Sequence, residues 1–157
     1  MFKQKLQQGF TLIELLVVIA IIGILAATVL AALGSARSSG SNASVTGSIS
    51  SVRSQAEIFY NIGSSYTGMC ADTAVLNLLN AGAKNGPTGT TVDSVVGTAG
   101  DPTHVECHTQ AASWAVAAPL NLAGGTTQKY FCVDSTGKAT STTASLAGSG
   151  ATQYACP

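Results

Sequence analysis

A short stretch in the second half of the chain concentrates side chains that can bind metals. The segment His104–His108 reads HVECH and holds two histidines, one cysteine and one acid. A zinc site would need a second group of ligands, and the donor that the rest of the sequence offers is Cys70. Because Cys70 is better used in a disulfide bond, the sequence favours a disulfide beside exposed loop histidines. It therefore predicts no metal and no other cofactor.

The remaining candidates for chemistry are weaker. Asp134, Ser135 and Gly137 could offer oxygen atoms to calcium, but calcium takes about six to eight oxygens and usually several acids. This segment has a single carboxylate, so we predict a tight turn there. The sequence has no glycine-rich phosphate loop, no Gly-x-Ser-x-Gly motif and no pair of acids on a predictable common face. We therefore predict that the protein is not an enzyme.

The four cysteines are Cys70, Cys107, Cys132 and Cys156. An even number of cysteines in an exported domain favours two disulfide bonds, and four cysteines allow three connectivities. We favour Cys70–Cys107 with Cys132–Cys156, because each of these bonds joins neighbours in the sequence.

Glu14 stands immediately before the longest apolar run of the chain. Leu15–Leu33 comprises 19 residues without a charge or a proline. At a helical rise of about 1.5 Å per residue this run reaches about 28 Å, close to the thickness of a bilayer's hydrocarbon core. An unpaired carboxylate buried in lipid would cost roughly 3 kcal/mol, so Glu14 implies a partner. Lys3 and Lys5 hold their flank in the cytoplasm, which places Gly34 and later residues outside the inner membrane.

The residues around Glu14 carry a resemblance to a known family. The segment GFTLIE, from Gly9 to Glu14, followed by LLVVIAIIGILAA, resembles the amino-terminal segment of type IV pilins and type II secretion pseudopilins. The resemblance covers roughly residues 1–33. It implies cleavage between Gly9 and Phe10 by a prepilin peptidase, N-methylation of Phe10, and retention of the apolar run as the core of a helical filament. It also implies that Glu14 neutralises the Phe10 amine of a neighbouring subunit.

One position departs from the family pattern. Pilins of this type usually carry a proline where this chain has Ala31. A proline would remove a helical hydrogen bond and kink or melt the segment. Without it, we expect the helix to run unbroken through Gly23.

The sequence predicts four parts. Residues 1–9 form a cleaved leader, and residues 10–34 form a transmembrane and filament-core helix. Residues 35–62 form an amphipathic second half of the helix, which either continues from the membrane part or resumes near residue 43. Residues 63–157 form a globular head with an antiparallel sheet and disulfides. Apolar residues recur at helical spacing in the third part and predict one buried face: Val45, Ile49, Val52, Ala56, Phe59 and Ile62.

The head is predicted to contain a short helix and at least three strands. The helix should cover 72–81, with Asp72 or Thr73 at its N-cap and Gly82 at its end. Residues 85–101 are predicted as a loop with an edge strand at 91–96. A hairpin of 113–117 with 129–134 follows, with a turn at 134–137, a third strand at 138–143 and a tail at 147–157. Its aromatic residues Trp114, Tyr130 and Phe131 should fill the core. The predicted fold is α+β and pilin-like, with a long N-terminal helix whose second half packs on a small antiparallel sheet.

The charge of the chain limits its partners. Seven basic and seven acidic residues give a formal net charge of zero, and loss of Lys3 and Lys5 with the leader leaves five against seven, or −2. A dedicated nucleic-acid surface needs clustered lysines and arginines. The sequence therefore makes no strong case for nucleic acid as a partner.

The main hypothesis is a structural subunit, or pilin, of a type IV pilus filament. Its expected partners are copies of itself in a helical homopolymer, a prepilin peptidase, the inner-membrane assembly machinery and the membrane. Its expected location is the inner membrane for a single-pass precursor with a cytoplasmic leader, and the extracellular pilus for the mature form. Three alternatives stay open. They are a type II secretion pseudopilin, a minor pilin whose head is an adhesin or binds DNA, and an exported enzyme whose signal peptide is removed after about residue 27.

Overall fold

The computed structural model describes residues 9–93, 102–122, 125–146 and 154–157 of the 157-residue chain. Residues 1–8 of the predicted leader lie outside this range, as do parts of the strand predicted at 91–96 and of the tail predicted at 147–157. The elements are given in chain order: α1 (Leu12–Gly63), a short 3-10 turn (Met69–Ala71), α2 (Thr73–Asn85), β1 (Thr91–Asp93), β2 (His104–Thr109), β3 (Trp114–Pro119), β4 (Tyr130–Asp134) and β5 (Ala139–Thr142).

The chain divides into two compact units, residues 1–36 and residues 37–157. We call them the N-terminal unit and the head unit. Helix α1 contributes residues to both, because it continues without a break from Leu12 to Gly63. The glycines and serines between Gly34 and Gly47 lower helix propensity, yet this stretch is helical. Of the two possibilities left open by the sequence, continuation of the helix is therefore the one observed.

The second half of α1 buries most of the predicted apolar face. Val45, Ile49, Val52 and Ala56 are all fully buried and belong to the main core of the head unit. The predicted face is wrong at its end, because Ile62 is 85% exposed. Ile62 lies in the last turn of the helix, past the buried positions, just before the chain turns away at Gly63.

Helix α2 begins as predicted and ends later than predicted. The Asp72 carboxylate caps it by accepting hydrogen bonds from the N–H groups of Ala74 at 2.9 Å and Val75 at 3.2 Å. Gly82 does not end the helix, which continues to Asn85. A Cβ atom at Gly82 would lie 2.9 Å from Cδ1 of Ile49. The glycine is therefore explained by the close approach of α2 to α1, and a search for helix-stop signals misreads it.

The strands form one five-stranded sheet in the order β1-β2-β3-β4-β5. β1 pairs with β2 in parallel, and the other neighbours are antiparallel. β3 and β4 form the predicted hairpin, and β4 connects to β5 through the predicted tight turn, in which Gly137 has a φ of 93°. With α1 packed on this sheet, the α+β, pilin-like architecture is confirmed.

Both faces of the central strand β3 are buried. On one face Trp114, Val116 and Ala118 join the main core with the apolar residues of α1. On the other face Ala115 and Ala117 pack in a second cluster, together with Cys132, Leu146 and Cys156. The described C-terminal residues therefore cover the face of the sheet that α1 leaves open. The prediction that Trp114, Tyr130 and Phe131 fill the interior is confirmed, since all three are buried.

Candidate assembly site

The junction between Gly9 and Phe10 lies just before α1. Both residues have non-helical backbone and are exposed, and the Phe10 side chain is 89% exposed. A Cβ atom added at Gly9 would meet no atom within 4 Å. An exposed, non-helical peptide bond of this kind is accessible to a peptidase. Cleavage at this bond and methylation of Phe10 remain predictions.

Glu14 closes the first turn of α1 together with Thr11. Oε2 of Glu14 accepts hydrogen bonds from the backbone N–H and the hydroxyl of Thr11, both at 2.9 Å. In return, the N–H of Glu14 donates to the Thr11 hydroxyl oxygen at 3.2 Å. This reciprocal arrangement is a capping box, which satisfies N–H groups that the helix itself leaves without partners.

The capping box has a signal in the sequence that the predictions above do not use. The spacing Thr-x-x-Glu at Thr11 and Glu14, just before an apolar run, is the pattern of this motif. If Glu14 also pairs with a second subunit, its carboxylate has two roles, namely capping α1 and pairing with a positive charge. A carboxylate has two oxygens and about four lone-pair sites. Capping by Thr11 uses Oε2, and Oε1 makes no hydrogen bond among the described residues.

The apolar run that follows Glu14 presents its side chains outward around the helix. The large apolar residues from Leu12 to Leu33 are each between 48% and 85% exposed. Within the described residues, α1 is also the one helix that is long and apolar enough to cross a membrane. Full burial of a Leu, Ile or Val side chain is worth about 1.5–3 kcal/mol. A surface of this size is therefore expected to be covered by lipid or by protein.

The helix passes through Gly23 and Ala31 without interruption. This agrees with the expectation from the missing proline, because Ala31 supplies the backbone N–H that a proline would lack. Gly23 has no atom within 4 Å of the position that a Cβ would take. Within the single chain, the glycine is therefore not required by a close contact.

The segment with the candidate metal ligands is a strand, and the prediction of exposed loop histidines is wrong. His108 is 1% exposed and Glu106 is 4% exposed within β2. The alternation of the segment contains the signal for this strand. Val105 and Cys107 face the main core, and the polar residues occupy the opposite face. Because the polar positions also resemble metal ligands, the period of two is easily hidden.

The polar residues of β2 have structural contacts in the head unit. Oε2 of Glu106 accepts a hydrogen bond from the N–H of Leu146 at 3.0 Å, which ties the C-terminal segment to the sheet. Nδ1 of His104 lies 3.0 Å from the Thr103 hydroxyl. Across the described ranges, no group of three or more His, Cys, Asp or Glu residues could hold a metal ion.

The cysteines form the bonds Cys70–Cys107 and Cys132–Cys156. This is the connectivity that sequence proximity favours. Cys70–Cys107 joins the 3-10 turn to β2 within the main core, and Cys132–Cys156 joins β4 to the chain's end. The C-terminal residues are therefore held to the sheet by a covalent bond as well as by hydrogen bonds.

Asp134 occupies the turn between β4 and β5 and serves as a hydrogen-bond acceptor. Oδ1 accepts from the N–H of Thr136 at 2.9 Å, the Thr136 hydroxyl at 2.6 Å and the N–H of Lys138 at 3.2 Å. Oδ2 accepts from the N–H of Cys156 at 2.8 Å. Burial alone would raise the pKa of Asp134, but these four bonds, with the Thr136 hydroxyl first among them, outweigh burial and lower it. The turn thus uses the carboxylate that calcium would need.

Together, these features define a protein with an exposed apolar N-terminal helix, able to span a membrane, and a disulfide-bonded α+β head. Residues 4–30 match the family model of the prokaryotic N-terminal methylation motif. The chain carries this motif, which is the class III leader of type IV pilins and pseudopilins. No curated protein and no solved structure matches the chain. Pilins and pseudopilins are structural proteins, and the leader with its apolar helix fits a membrane-anchored precursor.

Proposed function

We propose that this protein is a structural subunit of a type IV pilus filament. In this proposal a prepilin peptidase cleaves between Gly9 and Phe10, and the new N-terminal nitrogen of Phe10 is methylated. The observation that carries the proposal is the exposed apolar surface of α1, which begins directly after a single carboxylate and lies in a segment that matches the methylation motif. Such a surface is suited to a protein that exchanges lipid contacts for contacts with its own copies.

The driving force for assembly is apolar packing. In the membrane the residues from Leu15 to Leu33 contact lipid, and in a fibre the same residues would contact equivalent helices. Lipid tails are as apolar as leucine, so association within the membrane depends mainly on close side-chain packing. Outside the membrane the same surface would face water, and its burial between subunits becomes strongly favourable.

Glu14 sets the axial register of neighbouring subunits in this proposal. Its carboxylate would accept a hydrogen bond from the positively charged Phe10 amine of a neighbour, while its Oε2 continues to accept the hydrogen bonds from Thr11. A subunit in the wrong register would bury an unpaired charge, which costs about 3–5 kcal/mol. Correct register is therefore the arrangement in which both charges are paired.

The proposed partners are copies of the chain, the prepilin peptidase and the inner-membrane assembly machinery, and the proposed final location is the extracellular pilus. The protein is proposed to have no enzymatic activity of its own. In support, the described polar clusters are used to hold the head together. Glu106 and Asp134 accept hydrogen bonds from the C-terminal segment, and all four cysteines are in disulfide bonds.

The test is to shear surface fibres from cells and to determine the N-terminus of this chain by mass spectrometry. The proposal expects fibres that contain the chain beginning at Phe10 with one added methyl group. A mature chain that begins after about residue 27, or one that stays monomeric with its apolar helix intact, would contradict it. Processing at Phe10 without recoverable fibres would favour the pseudopilin alternative. Affinity of the head for a surface ligand or for DNA, in a chain scarce in fibres, would favour the minor pilin alternative.

A further inference from the structure

A polar cleft of about 620 Å³ opens on the head unit. It lies between the start of the head's part of α1 and the C-terminal end of α2 with the turn that follows. Its walls include Arg37, Ser38 and Ser41 from α1, Lys84 from α2, and Asn121. The residues that line it include two cations and several hydroxyl and amide groups, and none of them is an acid.

The two cations of the cleft have no hydrogen-bonded partner among the described residues. Two other cations of the head are used differently. Arg53 donates from Nη2 to the Lys138 carbonyl at 2.9 Å, and Lys138 donates from Nζ to the Cys156 carbonyl at 3.0 Å. Arg37 and Lys84 make no such bond, and both side chains are exposed in the cleft. Their charges are therefore available to a ligand.

The walls of the cleft are fixed by hydrogen bonds between its elements. The hydroxyl of Ser41 donates to the Asn85 carbonyl at 2.7 Å, and Nδ2 of Asn121 donates to the same carbonyl at 2.8 Å. The N–H of Asn121 donates to Oδ1 of Asn42 at 2.7 Å. These bonds tie α1, the end of α2 and the chain after β3 together. The cleft is thus formed before a ligand arrives, which lowers the cost of binding.

The position of Arg37 in the sequence places this cation close to the end of the apolar run. Arg37 follows Leu33, the last residue of the apolar run, by four residues of continuous helix. Four residues advance a helix by about 6 Å, which is the distance from the hydrocarbon edge to the headgroup layer. A cation at this level meets lipid phosphates.

We propose that the cleft binds a phosphate group, supplied by the headgroup of an anionic phospholipid on the outer surface of the inner membrane. Arg37 would hold two phosphate oxygens through its planar guanidinium, and Lys84 would add a point charge from the opposite wall. The lipid source depends on the membrane-anchored precursor, and the phosphate chemistry depends on the cleft alone. Bound lipid would hold the head at the membrane surface until the subunit leaves the bilayer.

The test uses native mass spectrometry of the full chain released from a neutral detergent. Phosphatidylglycerol, phosphatidylcholine, inorganic phosphate and a short single-stranded oligonucleotide are titrated separately. We expect saturable binding of one phosphatidylglycerol, weaker binding of phosphatidylcholine, and displacement of the lipid by high inorganic phosphate. Arg37→Gln and Lys84→Gln should each weaken phosphatidylglycerol binding about fivefold, since a cation near an anionic lipid surface contributes about that factor.

The matched control is Lys129→Gln, which removes the same charge from the smaller neighbouring cleft. Unchanged lipid affinity in this variant supports the site, whereas an equal loss in all three variants would overturn it in favour of diffuse charge attraction. Phosphate binding without phosphatidylglycerol binding would overturn the lipid source, and preferential oligonucleotide binding would overturn the lipid in favour of nucleic acid. None of these readings depends on fibre formation, so failure of the filament proposal would be seen separately.

Discussion

The double role of Glu14 predicts that charge and capping can be separated by two substitutions. Glu14→Gln keeps an amide oxygen that can accept from the N–H and hydroxyl of Thr11, but it removes the negative charge. Thr11→Ala removes the hydroxyl of the capping box and leaves the charge of Glu14 in place. If the charge selects the register, the first substitution should prevent assembly and the second should only reduce it.

The expected magnitudes are well separated. Without the Glu14 charge, each subunit in the fibre would bury the Phe10 amine of its neighbour without a partner, at about 3–5 kcal/mol. This corresponds to a loss of about 100-fold or more in the association constant for each subunit. Loss of an N-cap costs about 1 kcal/mol of helix stability, which is about a fivefold change in an equilibrium constant. Thr11 caps only the first turn of a 52-residue helix, so the rest of α1 should stay formed.

The assay compares the yield of sheared fibres with the amount of precursor and processed chain in the membrane. Processing at Phe10 is followed by mass spectrometry, so that a failure of cleavage is not mistaken for a failure of assembly. We expect fibres to be nearly lost in Glu14→Gln and moderately reduced in Thr11→Ala, with processed chain present in both. Normal fibre yield in Glu14→Gln, or an equal loss in both variants, would refute the role of the charge.

Three further predictions concern the head unit. Gly82→Val should destabilise it by about 1–3 kcal/mol, because a Cβ at this position would lie 2.9 Å from Ile49, and urea unfolding measures the change. Replacing Cys132 and Cys156 together by alanine should cost about 3–4 kcal/mol in the loop-entropy model, for a sequence separation of 24 residues, and the same unfolding measurement checks it. Asp134 should stabilise the head above its unfolded pKa of about 3.8, and this contribution should be lost as the pH falls through the lower folded pKa, as unfolding midpoints at a series of acidic pH values would record.

Each of these predictions has a control in the same chain. Gly47→Val introduces the same side chain at another helical glycine. A Cβ at Gly47 would meet no atom within 4 Å, so this variant should not destabilise the head. Treatment with a reductant should lower the free energy of unfolding of the wild-type protein towards that of the alanine variant, because the variant has no Cys132–Cys156 bond to lose. Asp134→Asn should remove part of the acid sensitivity, and an unchanged pH profile in this variant would contradict the role of the carboxylate.

Local patterns in the sequence were sufficient to predict much of the fold. The spacing of Val45, Ile49, Val52 and Ala56 predicts the buried face of α1, because helical periodicity can be recognised without knowing which element packs on that face. The sequence predicts an N-cap at Asp72 or Thr73 for a similar reason, since an N-cap depends on residues within one turn, and Asp72 is the residue that caps the helix. The hairpin of β3 and β4 was predicted from short apolar runs and the intervening turn residues.

The predictions that failed depend on contacts between distant parts of the chain. Gly82 resembles a helix stop, and only the packing of Ile49 from α1 explains why it lies inside α2. The alternation within β2 indicates a strand, but no local signal shows that the C-terminal residues will cover its polar face. Ile62 continues a periodic pattern past the point where the partner surface ends. For Gly82 and β2, the contacting residue is more than 30 positions away in the sequence. For Ile62, the sequence has no signal for where the covering surface ends.

The two units bury their apolar residues in different ways, and this separation would allow one chain to exist both in lipid and in the proposed fibre. The clusters of buried residues in the head begin at Val45, and no residue of the apolar run from Leu15 to Leu33 belongs to them. The stability of the head therefore does not depend on what surrounds that run. Two disulfides and a sheet covered on both faces stabilise the head without help from the run. The apolar helix can then exchange one environment for another while the head stays folded.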